Sequence, residues 1–260
     1  MRGGTGIRTL AVLACVGTAP VAEAADIRVY TSGAPAQAVR AIAAGFSAQT
    51  GHQVTFAVAQ PATIERDLAA GDRADVVVLP ARLMARLEQS GRLRAPSAVD
   101  VARVGVGIVV RDGASRPDIS SSAAIRQVLL GARSIVYPDP RSGGGSTGRA
   151  VARMIERMGI AEAIKAKLTL KAAIGGGVDL VAGGTAEIGL FNISEIVPIK
   201  GVTLVGPLPA ELQSYIVFGA AIPASNAAPE PAEAFIQALG AAAARQAWQD
   251  AGLEPVAPAR

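Results

Sequence analysis

The segment Asp139-Pro140-Arg141-Ser142-Gly143-Gly144-Gly145-Ser146-Thr147-Gly148 sets a cation, three hydroxyls and four glycines ahead of a helix-like stretch. A guanidinium can grip a carboxylate through two parallel hydrogen bonds. Glycines let the backbone approach a ligand closely, and the N–H groups that open a helix favour an anion. The segment is not a phosphate-binding P-loop, since no lysine follows the glycines ahead of Ser146. Thr31-Ser32-Gly33-Ala34-Pro35 and Ile174-Gly175-Gly176-Gly177 are two further helix starts rich in small or hydroxyl residues. Gln60-Pro61-Ala62-Thr63 and Asn192-Ile193-Ser194 add amide and hydroxyl groups at strand ends. Each has a plainer reading as a cap or turn. Together they predict a small-anion site built from Thr31, Ser32, Gly33, Gln60, Thr63, Arg141, Ser142, Ser146, Thr147, Ile174, Gly175 and Asn192.

No residue stands out as a catalyst. The single histidine, His52, follows Gly51 in the turn after the first helix and is expected on the surface, away from the site. No carboxylate pair suggests an acid and a base. The single cysteine, Cys15, lies in the leader described below, so thiol and thiolate–metal chemistry are not expected of the mature chain. Neither a metal nor a cofactor is predicted.

Alternating elements must position the site. Ile27–Tyr30 reads as a strand, and Val39, Ile42, Ala43 and Phe46 recur at helical spacing until Gly51. Val54–Val58 is a second strand, Thr63–Ala70 a helix ended by Gly71, and Val76–Leu79 the unbroken apolar run of a buried parallel strand. Leu83, Met84 and Leu87 mark another helix, and Val104–Val110 another strand. After the polar stretch 111–122 come helices at Ile125–Leu130, Gly148–Met158 and Val178–Ala182, with strands at Ile135–Tyr137 and Ile188–Phe191. Ser214–Ile222 reads as a long strand and Ala232–Trp248 as one terminal helix. This is an α/β pattern. A chain that leaves one lobe near 104–110 and returns near 214–222 predicts two lobes, residues 25–104 with 218–260 and residues 105–217, on a two-strand hinge.

Residues 1–24 have the three-part layout of a secretory leader: Arg2 and Arg8, an apolar run from Leu10 to Val21, and Ala22-Glu23-Ala24. A periplasmic location follows, with lipid anchoring through Cys15 as the lesser alternative. A formal charge of +4 and 3 % aromatics give no basis for nucleic-acid binding, which needs clustered cations and stacking rings.

The chain resembles the molybdate-binding protein family of bacterial ABC importers over essentially its whole length after the leader. The resemblance is carried by Val29-Tyr30-Thr31-Ser32 and its helix, Leu68-Ala69-Ala70-Gly71-Asp72-Arg73-Ala74-Asp75-Val76-Val77, Tyr137-Pro138-Asp139-Pro140, and Ala186-Glu187-Ile188-Gly189-Leu190-Phe191. It implies a type II periplasmic binding protein fold, each lobe a mixed, mostly parallel sheet flanked by helices. It also implies a monomer that holds a small anionic ligand in the interlobe cleft and delivers it to an ABC permease. Where the family has two serines and a tyrosine on the oxyanion, this sequence has Ala34, Pro61 and Asn192, with backbone contacts near Thr147 and Ile174. Each missing hydrogen bond to a charged ligand costs about 1.5–3 kcal/mol. An organic di- or tricarboxylate is therefore expected, with molybdate or tungstate as one alternative. The resemblance extends to exported isomerases of unsaturated tricarboxylates such as aconitate, which is the other.

Overall fold

The computed structural model describes residues 24–141, 146–172 and 177–256. The leader through residue 23, together with Ser142, Ile174 and Gly175 of the expected site, lies outside the described residues.

The first lobe opens with β1 (Asp26–Thr31), α1 (Ala36–Thr50), β2 (Gln53–Val58), α2 (Pro61–Ala69), β3 (Val76–Pro80), α3 (Ala81–Gln89) and β4 (Val99–Val104). The second contains β5 (Val106–Arg111), α4 (Ser122–Gly131), β6 (Ile135–Pro138), α5 (Ser146–Arg157), α6 (Ala161–Ile164), β7 (Leu168–Lys171), α7 (Gly177–Ala182), β8 (Ile188–Asn192), α8 (Ile193–Ile196) and β9 (Val202–Pro207). The chain then returns to the first lobe through β10 (Ile216–Ala221), α9 (Pro229–Gly240), α10 (Arg245–Asp250) and β11 (Glu254–Pro255).

Each lobe is a mixed sheet between helices. The strand order is β11-β4-β10-β3-β1-β2 in one and β7-β6-β8-β5-β9 in the other. β1 pairs parallel with β2 and β3, and β6 parallel with β7 and β8. β10 and β5 join their sheets antiparallel. The apolar run of β3 is buried on both faces because helices cover both, as the unbroken Val76–Leu79 pattern requires. Helix α1 turns Val39, Ile42, Ala43 and Phe46 into the core and stops at Gly51, whose φ of 79° is the left-handed value that favours glycine.

The strand expected over Val104–Val110 is two strands in two sheets, β4 and β5, parted at Gly105. A β-carbon on Gly105 would lie 2.8 Å from Nε2 of Gln213, so a larger residue there would have to displace the Gln213 side chain of the second crossing. That second crossing, residues 208–215, links β9 to β10. The terminal helix expected over Ala232–Trp248 is likewise broken. Ala241 is extended, a short 3-10 turn follows, and the chain folds back so that the Trp248 indole N–H reaches the Leu239 carbonyl at 3.0 Å.

His52 is buried, not on the surface as expected. Its ring stacks on Phe46, and Nδ1 accepts the Ala25 N–H at 3.0 Å, so it ties the start of β1 to the end of α1. The two acids of Ala70-Gly71-Asp72-Arg73-Ala74-Asp75 are also structural. Asp72 accepts the Tyr30 hydroxyl, while Asp75 accepts the Arg28 N–H at 2.8 Å and the Asn226 amide at 3.2 Å.

Candidate functional site

Open α/β sheets present ligand sites beyond the carboxyl ends of their strands, and here those ends from both lobes converge on one cavity of about 390 Å³. In the first lobe β1 runs into Ser32, Gly33 and Ala34, β2 into Gln60 and Pro61, and β3 ends at Pro80. In the second, α5 supplies Ser146 and Arg149, α7 Gly177 and Asp179, and the junction of β8 with α8 supplies Asn192, Ser194 and Glu195. Phe191, Val178, Ile216 and Phe218 give the cavity apolar walls. The size and this mixture suit a small molecule held by a few fixed polar groups.

Two glycines seat the second-lobe wall. A β-carbon on Gly148 would lie 2.1 Å from the Pro138 carbonyl oxygen, so α5 can rest on the end of β6 only with glycine there. One on Gly177 would lie 2.5 Å from the Phe191 ring, which lets α7 approach β8. Behind the wall, the buried Thr147 hydroxyl donates to Asn192 Oδ1 at 2.8 Å, and Asn192 Nδ2 donates to Glu195 Oε1 at 2.7 Å. With its oxygen occupied by Thr147, the Asn192 amide must turn its NH₂ toward Glu195. Burial pushes the Glu195 carboxyl up to about 7, against a smaller downward pull from the Asn192 hydrogen bond. Ser32 Oγ and Ser194 Oγ are buried and have no hydrogen-bond partner among the described residues. A buried hydroxyl left unpaired costs about 1–3 kcal/mol, so both are donors available to a guest.

Of the residues singled out in the sequence, Ser32, Gly33, Gln60, Ser146 and Asn192 line this cavity. Ala34 and Pro61, two positions where the resemblance marks a serine, line it as well. Thr31 and Thr147 are buried and do not line it; the Thr31 hydroxyl donates to the Ser32 carbonyl at 3.1 Å. Thr63 lies in the first turn of α2, its N–H on the Gln60 carbonyl, and is not part of the lining. Arg141 is also absent from the lining. Its guanidinium is exposed and grips both oxygens of Asp139 at 3.2 Å, which holds the Asp139 carboxyl below its usual range. The carboxylate partner of the expected fork is thus supplied by the protein two residues away.

The sequence reading missed Arg149, Asp179 and Glu195, and it named Ser194 only within Asn192-Ile193-Ser194, outside the list of site residues. Arg149 is the one cation on the lining among the described residues, and its guanidinium also donates to the Pro140 carbonyl at 3.3 Å. Its position three residues after Ser146, on the first turn of the helix that opens on the cleft, was the available signal. Among the described residues, no cluster of His, Cys, Asp and Glu is placed to hold a metal ion, and no helix is long and apolar enough to cross a membrane.

The model of the bacterial extracellular solute-binding protein family matches residues 27–254. The chain is 31 % identical over 236 residues to an aconitate isomerase from Pseudomonas sp., covering 88 % of each protein. Its fold is similar to that of the Azotobacter vinelandii periplasmic molybdate-binding protein, with a TM-score of 0.67 at 20 % identity over 90 % of this chain and 100 % of the other. It is equally similar to L-phospholactate-bound PEB3, a protein of Campylobacter jejuni, with a TM-score of 0.68 at 16 % identity over 88 % of this chain and 99 % of the other. At such identities the likeness is one of fold, and two folds alike can hold different ligands. The family is extracellular, which agrees with the exported, periplasmic location read from the leader. With its two mixed sheets, interlobe cavity and family match along nearly the whole described length, the chain belongs to the bacterial extracellular solute-binding proteins and carries the type II periplasmic binding fold.

Proposed function

We propose that the protein captures an organic di- or tricarboxylate between its lobes and delivers it to an ABC permease. The observation that carries this reading is the pairing of walls in one cavity. Arg149 and Ser146 stand on one lobe, and the Ser32 hydroxyl, unpaired among the described residues, and the Gln60 amide stand on the other. A ligand with carboxylates at both ends can bridge such walls, each carboxylate taking charge-assisted or hydroxyl hydrogen bonds. Ala34 and Pro61, both on the lining, stand where the resemblance to the molybdate-binding family implies serines, so donors that a single tetrahedral oxyanion would need are missing. The relative that is 31 % identical is named for a tricarboxylate.

Thermal denaturation in the presence of citrate, cis- and trans-aconitate, C4-dicarboxylates, sulfate and molybdate tests the reading. A ligand at 100 times its Kd adds about 2.7 kcal/mol of stability. Stabilisation by the polycarboxylates is expected; stabilisation by molybdate alone would overturn the proposal.

A second reading, isomerisation of an unsaturated tricarboxylate, is favoured by that same relative and by Glu195, a carboxyl on the cavity that changes protonation near neutral pH. A group of that pKa can both accept and return a proton. Chromatography of cis-aconitate incubated with the purified protein separates the readings: a binder returns it unchanged, an isomerase yields the trans form.

A further inference from the structure

Glu195 is an unusual neighbour for an anion. It lines the cavity, one of its oxygens already accepts from Asn192 at 2.7 Å, and the other has no protein donor among the described residues. It takes part in no ion pair among those residues, whereas Asp139, Asp67, Glu65, Glu187 and Glu254 each face an arginine. An ionised Glu195 would set a bare negative charge against the ligand it is meant to share a cavity with. A protonated Glu195 offers the reverse, an O–H donor aimed at the same space.

We propose that Glu195 captures the ligand as a neutral carboxylic acid, donating its proton in a hydrogen bond to one ligand carboxylate, so that binding takes up a proton from solvent. This deepens the polycarboxylate reading and rests on it. The surroundings support the neutral form. Burial brings the carboxyl to about 7 even against the downward pull of the Asn192 hydrogen bond, and an incoming like charge raises a carboxyl further. Among the elements packed on α8, β8 and β9 carry no titratable side chain. β5 carries only Arg111, at its far end beside Gly184. The first-lobe turn at Gly252 leads to Glu254, which is held by Arg103 at 2.7 Å. Across the cavity stand Arg149 and Asp179, of opposite charge. The Thr147–Asn192 bond prevents the amide from turning its oxygen toward Glu195, so the acid's own proton stays free for the guest.

Calorimetric titration of the full mature protein with trans-aconitate and with citrate, in HEPES and in Tris, reads the proton directly from the difference in heat between buffers. Wild type is expected to take up a fraction of a proton near neutral pH, with Kd rising up to about tenfold per pH unit above about 7. Glu195→Gln keeps an oxygen for Asn192 and supplies a permanent donor. It should bind these probes with a nearly flat pH profile and without proton uptake. Wild-type binding that takes up no proton and follows the same pH profile as the variant overturns the inference and leaves the polycarboxylate reading standing. So does binding that tightens as pH rises and is lost in Glu195→Gln, which would make Glu195 an acceptor. Failure of both probes to bind wild type at any pH overturns the polycarboxylate reading, and this inference with it.

Discussion

The Gln213 carboxamide and the Val106 backbone hold each other at both ends: the Val106 N–H donates to Oε1 at 2.8 Å, and Nε2 donates to the Val106 carbonyl at 3.0 Å. Gln213 lies in one interlobe crossing and Val106 ends the other, so this pair fixes the spacing of the two crossings. Gln213→Ala leaves the Val106 N–H without that partner at a half-buried site. A loss of about 1–3 kcal/mol is expected, measured as a fall in the denaturation midpoint. An unchanged midpoint would mean that the crossings are spaced by other contacts.

Gly148→Ala sets a methyl group against the Pro138 carbonyl, where 2.1 Å is available. Helix α5 must move off β6, and Thr147 and Arg149 move with it. Stability is expected to fall by about 1–3 kcal/mol, as for other overpacked sites, and ligand affinity to fall with it. Urea denaturation and calorimetry check the two effects separately.

The two arginines near the cleft should behave differently. Arg149→Ala is expected to raise the Kd for a polycarboxylate about ten- to a hundredfold, the loss of a charged hydrogen bond. Arg141→Ala, whose guanidinium is exposed and committed to Asp139, should change it by no more than about twofold. Equal effects from both would mean that Arg141 leaves Asp139 when the ligand enters.

Stability without ligand should depend on Glu195. Its carboxyl, ordinarily at 4.5, is raised by burial to about 7 in the folded chain. Between these values the folded state keeps a proton that the unfolded chain has released. The contribution of this group is therefore most favourable below about 4.5, declines as pH rises toward about 7, and is level above that. Glu195→Gln has no such decline. Comparing the two proteins from acid to neutral pH should show the variant gaining, relative to wild type, at most about 3–4 kcal/mol.

Long apolar patterns were legible in the sequence because their periods are set by burial. Val76–Leu79 and the Val39–Phe46 stripe fell where expected. Gly105 was not recognised as a break, since the β-branched residues around it continue on both sides and the Gln213 side chain that packs against it is distant in sequence. Ser32, Gly33, Gln60, Ser146 and Asn192 could be found because strand ends and helix starts carry a compositional signal. Glu195 could not, because α8 has four residues and no period, and the burial that changes its chemistry comes from outside it. Arg141 was misleading for a related reason. Its fork is satisfied by Asp139 two residues away, and sequence does not say which of two carboxylates a guanidinium will choose.

Asn192 pairs with Val106 in the sheet, the Ile193 N–H donates to the Gly105 carbonyl at 3.0 Å, and Gly252 of the first lobe presses on Ile193 and Val197. In any swing of the lobes about Gly105, an atom travels in proportion to its distance from that fulcrum. Asn192, next to it, has a short lever arm, and α8 is braced by both lobes. Closure about that fulcrum would therefore carry the cavity walls farther from it, such as Gln60 and Pro61, through a longer arc than Asn192 and Glu195.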